Sequence, residues 1–237
     1  MHATDERPND IILGLDLGQA KDYTALSVTE VVGSPSGEPN RYAVRALDRF
    51  HPDRYQHVVD RVERMLPTLR QDVHVPPAGA WGGSFTYVRP RVTLVLDRTG
   101  VGRAVGDLFT EARLDLDLQL VSIHGGDTVT TDPDGGWRCP KRDLVGVVAV
   151  ALQNGRLQIA TQLDHAATLR AELKNFRARI GANGHDSYGA GDDWREGNHD
   201  DLVLAVALSL WWGERSSGIG FAPVPADLQR VLAEMGV

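Results

Sequence analysis

The chain has 237 residues, of which 42% are hydrophobic, and carries a formal charge of −7. That apolar share suffices for one full core and excludes a wholly disordered chain. No apolar run approaches the ~20 residues of a membrane span, so no membrane partner is expected. The acidic balance argues against a generally basic nucleic-acid binder, although clustered carboxylates that hold cations would inflate the negative count. The single cysteine, Cys139, excludes an intrachain disulfide and argues against a cysteine-based zinc site. With a polar, acidic N-terminus that lacks the apolar core of a signal peptide, it fits a reducing, cytoplasmic setting.

Residues 1–10 read as a disordered lead-in. Residues 11–17 are nearly all apolar, as in a strand buried on both faces. After a turn over Gly18–Asp22, the β-formers of Tyr23–Val32 predict a second strand, and Tyr42–Phe50 a third, so the first three strands read as an antiparallel meander. Apolar positions at helical spacing predict a helix over Arg54–Leu69, with Pro67 kinking it or ending it early. Residues 76–90 read as a long loop or small hairpin, Val92–Asp97 as a buried strand, and about 101–113 as a helix. Leu118–Ile123 is a further strand, followed by a polar loop over 124–136. Pro140 opens a helix to Gln153. Leu157–Ala160 is a short strand, and Leu163–Ile180 a helix with Leu169, Leu173 and Phe176 on one face. A Gly-, Asp- and Asn-rich loop or hairpin over 181–198 precedes a helix over His199–Trp212. The chain ends in a tail with a short amphipathic segment near 226–235. The predicted fold class is α/β: a mixed central sheet, meander plus parallel strands, flanked by helices. The domain spans 11–215, with 216–237 as its tail.

Three acidic stations stand out. Asp16 ends the first apolar strand, Asp97 ends the strand Val92–Asp97, and Asp200-Asp201 opens the apolar run 202–208. An unpaired buried charge costs several kcal/mol, so a carboxylate after a buried strand belongs at a strand end facing water, a metal or a substrate. If the two strands lie side by side and parallel, their ends coincide at the usual ligand crevice of an α/β sheet, and a helix starting at Asp200 or Asp201 can reach the same place. Neighbouring helical residues diverge by roughly 100°, so only one of Asp200 and Asp201 points optimally at one spot; spacing does not choose between them. Clustered carboxylates without His or Cys imply a hard cation, Mg²⁺ or Mn²⁺. Two such ions about 4 Å apart can activate water and stabilise the leaving oxygen in phosphodiester cleavage. Each station also has a plainer reading: Asp16 and Asp97 as turn or cap residues, Asp200 and Asp201 as first-turn helix acids.

Two basic groups are candidate phosphate contacts. Arg170, Lys174 and Arg177 form one helix stripe, diluted by acids such as Glu172; Lys141 and Arg142 form a second cluster with Arg138. A solvated helix face is the alternative. The 181–198 loop, with Tyr188, Trp194 and Arg195, reads as a flap over DNA or an ordinary surface loop, and His199 as a helix-start residue, with assistance to proton transfer as its alternative.

Together these stretches resemble the C-terminal nuclease domain of tailed-phage large terminases, of RNase H-like (RuvC-like) fold. The resemblance is carried by Gly-Leu-Asp-Leu-Gly-Gln-Ala-Lys-Asp-Tyr-Thr-Ala-Leu (14–26), Leu-Asp-Arg-Thr-Gly-Val-Gly (96–102), Pro-Lys-Arg-Asp-Leu-Val (140–145), Asn-Gly-Arg-Leu-Gln-Ile (154–159), Leu-Arg-Ala-Glu-Leu-Lys-Asn-Phe (169–176) and His-Asp-Asp-Leu-Val-Leu-Ala-Val-Ala-Leu (199–208). It implies a metal-dependent endonuclease on double-stranded DNA with two Mg²⁺ or Mn²⁺ ions. Asp16, Asp97, Asp200 and Asp201 would be its catalytic and metal-holding acids, with Asp22 as a supporting carboxylate. The chain has no Gly-x-x-x-x-Gly-Lys-Ser/Thr phosphate loop, so the resemblance does not extend to the packaging ATPase. A separate packaging ATPase, a portal or a small terminase would be its partners. The initiator Met points to a separate gene product rather than an excised domain. Two other classes are carried as alternatives: a non-catalytic, nuclease-like DNA-binding accessory, and an actin-like or sugar-kinase ATPase, for which the chain is short and lacks the second glycine-rich turn.

Overall fold

The computed structural model describes residues 10–18, 22–32, 38–71, 73–75, 86–175 and 200–216. The expected lead-in, the 181–198 loop and the C-terminal tail therefore lie outside the described residues, apart from Asp10 and Ser216, as do residues 33–37. The first three strands form the expected meander: β1 (Asp10–Asp16), β2 (Thr24–Val32) and β3 (Arg41–Phe50), each antiparallel to the one before. Helix α1 (Gln56–Leu69) runs two residues beyond Pro67. β4 (Val73–Val75) and β5 (Thr86–Val88) pair as a separate antiparallel ribbon where a loop or small hairpin was expected. β6 (Val92–Asp97) then lies parallel to β1, and α2 (Gly102–Ala112) leads to β7 (Asp117–His124), parallel to β6.

Two strands in the next stretch have no counterpart in the sequence reading. The loop after β7 holds β8 (Thr130–Thr131) and β9 (Trp137–Pro140), antiparallel to one another, with β9 parallel to β7. Pro140 both ends β9 and caps α3 (Lys141–Gln153). β10 (Leu157–Ile159) pairs parallel with β3, α4 covers Ala166–Asn175, and α5 covers Asp201–Ser216. The main sheet has the order β10-β3-β2-β1-β6-β7-β9-β8.

The central strands are buried on both faces because helices cover both. Leu13, Leu15, Leu26, Leu94 and Leu96 point to the face packed by Val58, Val59 and Val62 of α1 and Val105 and Phe109 of α2. Ile12, Ala25, Leu47, Val95 and Val121 point to the opposite face, against α3, α4 and α5. The period of two along each strand assigns every residue to one layer or the other. Helix α5 is apolar nearly all round and almost wholly buried, as expected of a helix at the centre of a core.

At its C-terminal end α5 is held by a buried polar group. The Tyr42 hydroxyl donates to Glu214 Oε1 at 2.8 Å, and Arg156 donates to the same oxygen at 2.5 Å. Burial and the Glu214 carboxylate push the Tyr42 phenol above its ordinary pKa. Tyr42→Phe keeps the ring and removes a hydrogen bond to a charged acceptor, so it is expected to cost about 2 kcal/mol in urea unfolding. A change within about 0.5 kcal/mol would show the contact to be energetically idle.

Candidate active site

The strand register assembles the site. Leu15 of β1 pairs with Leu96 of β6, so the next residues, Asp16 and Asp97, stand side by side at the C-terminal ends of two parallel strands. Alternation places both on the face of Ile12 and Val95, towards α5. Asp16 pairs in turn with Ala25 of β2, and Ala25 with Arg49 of β3. One row across four strands thus reads Asp97, Asp16, Ala25, Arg49. The small Ala25 leaves the space above it to whatever the helix layer brings.

That layer brings the start of α5. Asp200 precedes the helix and Asp201 is its first residue. Asp201 is buried, and its Oδ2 accepts from Arg49 at 3.0 and 3.2 Å. Asp200 Oδ2 accepts from Lys141 Nζ at 2.8 Å. Lys141 is the first residue of α3, delivered to the site by the unanticipated strand β9. The Arg49 guanidinium also lies over the Tyr23 ring, 4.0 Å from its centroid, and His51 packs on Tyr23.

Asp97 also fixes the turn that follows β6. Its Oδ1 accepts from the Thr99 backbone N–H at 2.8 Å, the plainer turn role expected of an Asp there. The following turn is fixed in both directions. Arg98 N–H donates to Val121 O at 2.8 Å, and Thr99 Oγ1 accepts from Ile123 N–H at 2.9 Å. Gly102 must lack a side chain, since a Cβ there would sit 2.0 Å from the Asp97 carbonyl oxygen. The buried Arg98 side chain bonds Ser122 Oγ at 3.1 Å and pairs with Asp132, tying the loop after β7 to the strand end beside Asp97.

Electrostatically the four carboxylates outnumber the cations paired with them, Lys141 and Arg49. Burial, then the charges of Asp97, Asp201 and Asp200, hold the Asp16 carboxyl well above the ordinary carboxylate range; Lys141 pulls it partly back. The other three acids on the sequence-predicted list are thus all within electrostatic reach of Asp16. Among the described residues, no three His, Cys, Asp or Glu side chains are disposed to hold a metal ion as they stand. Two of the four carboxylates are turned onto Lys141 and Arg49 instead. The donor chemistry still suits a hard cation, since it consists of carboxylate oxygens without imidazole or thiolate.

The other expected residues separate. Arg142 pairs with Asp127 at 2.6 Å, in the loop after β7, so it does not act with Lys141 as one cluster. Arg170 and Lys174 are exposed on α4, and Arg177 lies outside the described residues, as do Tyr188, Trp194, Arg195 and His199. Asp22 is half-buried in the turn before β2.

Two site residues escaped the sequence reading. Arg49 needs the register of three strands before it faces Asp201. Glu172 was counted among acids diluting a basic stripe, whereas it is buried on the far side of α4, where its Oε2 accepts from the Leu202 and Val203 backbone N–H groups at 2.9 and 3.1 Å. Its signal was position: it falls three residues after Leu169 and next to Leu173, inside the apolar stripe. Burial pushes its carboxyl up to about 7, with the Asp201 charge adding and the two backbone bonds opposing.

No family model matches the chain, and no curated protein matches it in sequence. Solved structures do match. The large terminase nuclease from the thermophilic phage G20c with bound magnesium is similar over 85% of this chain and 80% of its own, with 20% identity and a TM-score of 0.51. The human cytomegalovirus terminase nuclease domain, soaked with manganese, is similar over 90% of this chain and 87% of its own, with 10% identity and a TM-score of 0.52. The mixed eight-stranded sheet with the five helices among the described residues is thus the RNase H-like fold of the large terminase nuclease domains.

Proposed function

We propose that the chain is a divalent-cation-dependent endonuclease of double-stranded DNA, acting in viral genome packaging as the cutting component. The single observation that carries the reading is the placement of Asp16 and Asp97 at adjacent parallel strand ends, facing the Asp200-Asp201 start of α5. The raised Asp16 carboxyl supports it, because a cluster this poor in positive charge gains most from a divalent cation. Asp16, Asp97, Asp200 and Asp201 would hold two Mg²⁺ or Mn²⁺ ions. When bound, such ions lower the pKa of an attacking water and neutralise the phosphate's developing charge. Magnesium in the phage G20c nuclease and manganese in the cytomegalovirus domain support the choice of metal.

The chain's own residues supply the rest. Lys141 and Arg49 neutralise Asp200 and Asp201 in the form described here, and are placed to turn to phosphate oxygens once cations take over the carboxylates. Exposed Arg170 and Lys174 on α4 would meet the DNA backbone further out, and phosphate contacts of this kind position the duplex without reading its sequence. A packaging ATPase, a portal or a small terminase would be the partner in the host-cell cytoplasm.

A second reading has one observation in its favour: the Lys141–Asp200 and Arg49–Asp201 pairs give the site internal counter-charges, as would suit a nuclease-like accessory that binds DNA without cutting it. Supercoiled plasmid separates the two. Relaxed and linear products are expected with Mg²⁺ or Mn²⁺ and none with excess chelator. Retained plasmid binding without cutting in either metal would instead establish the accessory.

A further inference from the structure

Asp200 caps α5 in an incomplete way. Its carbonyl accepts the Leu204 N–H at 2.9 Å, which makes Asp200 the N-cap residue. An Asp at that position ordinarily folds its carboxylate onto the backbone N–H groups two and three residues on, which here belong to Leu202 and Val203. Both of those groups donate to Glu172 of α4 instead, and the Asp200 carboxylate is turned away onto Lys141.

Stability alone does not explain this exchange. A self-capping Asp200 would satisfy the same two donors from a less deeply buried position. Glu172 does so from a site where it is 6% exposed and where its Oε1 has no hydrogen-bond partner among the described residues. Burying a carboxylate with half of its acceptors unused is the costlier arrangement. What it gains is an Asp200 side chain released from capping and turned onto Lys141.

We infer that Glu172 is a positioning residue: it takes over the capping of α5 so that the Asp200 carboxylate stays turned into the acidic cluster. The donors at the helix start are satisfied from outside the site, and both members of the Asp-Asp pair become available to it, Asp201 from the helix and Asp200 from just before it. The value of that arrangement to the chain rests on the metal-dependent reading above; the capping exchange itself does not.

The test is a thermal-unfolding cycle on the full chain in metal-free buffer, with wild type, Glu172→Ala, Asp200→Ala and the double variant. In the wild-type background Asp200 contributes no cap, whereas without Glu172 its carboxylate is free to fold back and cap its own helix. Asp200→Ala is therefore expected to lower Tm by about 2–4 °C more in the Glu172→Ala background than in the wild type. Strictly additive shifts would overturn the exchange. If Glu172→Ala does not fold, Glu172→Asp, one methylene short of the two amides, takes its place in the cycle. A Mn²⁺ titration by calorimetry supplies the readout that a purely structural role would not move. Glu172→Ala is expected to weaken Mn²⁺ binding about 10–100-fold, with Glu172→Gln, which retains an acceptor oxygen, recovering most of it. Unchanged Mn²⁺ affinity in Glu172→Ala would overturn the positioning role. Wild type that binds no Mn²⁺ would overturn the metal assignment, and the unfolding cycle would still decide the cap.

Discussion

Asp16→Asn is expected to abolish metal-dependent cutting of plasmid DNA, by about 10³-fold or more, without lowering the stability of the metal-free chain. The two halves of this expectation come from the same electrostatics. Asp16 sits beside Asp97 on the neighbouring parallel strand and faces Asp200 and Asp201 across the layer, and both burial and these charges disfavour its ionised form. Exchanging it for a neutral, nearly isosteric amide relieves that repulsion, so metal-free Tm stays level or rises. The same exchange removes a carboxylate from the set that would hold the ions. Losing several kcal/mol of transition-state charge stabilisation corresponds to three or more powers of ten in rate. Asp97→Asn is the companion variant, since an amide oxygen preserves the bond from the Thr99 N–H that fixes the turn. Full cutting by both variants would sink the site. Loss of cutting together with a fall in Tm would make these acids structural.

How far the sequence carried the fold and the site differs from residue to residue, for physical reasons. Asp16 and Asp97 were legible because each terminates a continuous apolar run, and a buried parallel strand has no other place for an acid than its end. The start of α5 was legible for a similar reason: seven apolar residues after Asp-Asp give a helix with no polar face, which only a core can accept. The layer architecture followed from the order of the elements. Strand β9 was not legible. Its four residues, Trp137–Pro140, are too few to show alternation, and their pairing with β7 comes from a neighbour rather than from local preference. That strand nonetheless sets where Lys141 enters the site.

Arg49 and Glu172 were hidden by the same limitation in two forms. Each acts across the fold: Arg49 reaches Asp201, and Glu172 reaches the amides that follow it. Charge counting along one helix or strand sees only local neighbours. The Arg49 contact depends on an alanine between it and Asp16 in the strand row, and the Glu172 contact on the way α4 crosses the head of α5. The acids of the candidate site could thus be read from the chain. The groups that hold those acids in place required the register and the helix packing.

The packing of α5 on β1 leads to the largest expected stability effect. Gly14 lies between Ile12 and Asp16 on the face of β1 that meets α5. A Cβ built there would stand 1.8 Å from the backbone oxygen of Ala205 and 3.0 Å from Ser27 Oγ. Ser27, the cross-strand partner of Gly14, donates its hydroxyl to that same Ala205 oxygen at 2.9 Å. Helix and strand therefore touch backbone to backbone, and no rotamer change can make room for a methyl group. Gly14→Ala is expected to drive α5 off the sheet by roughly 1 Å and to destabilise the chain by about 3 kcal/mol, at the upper end of the overpacking range. For a chain of this size that is a fall in Tm of about 6–12 °C. Because the clash is with a backbone atom, adding Ala205→Gly should not rescue it, which separates this cause from ordinary side-chain crowding. The site should suffer with the fold. Asp201 lies one helical turn before Ala205, and Asp16 two residues after Gly14, so the retreat of the helix moves the two halves of the cluster apart. A misplacement of about 1 Å at a reacting centre can cost 10²-fold in rate, so the folded fraction of Gly14→Ala should also cut DNA far more slowly. Thermal unfolding and plasmid cutting on the same preparation check both halves. A stability loss below about 1 kcal/mol would mean that the helix accommodates the methyl group, and that the close approach at Gly14 is not what sets the distance between Asp16 and Asp201.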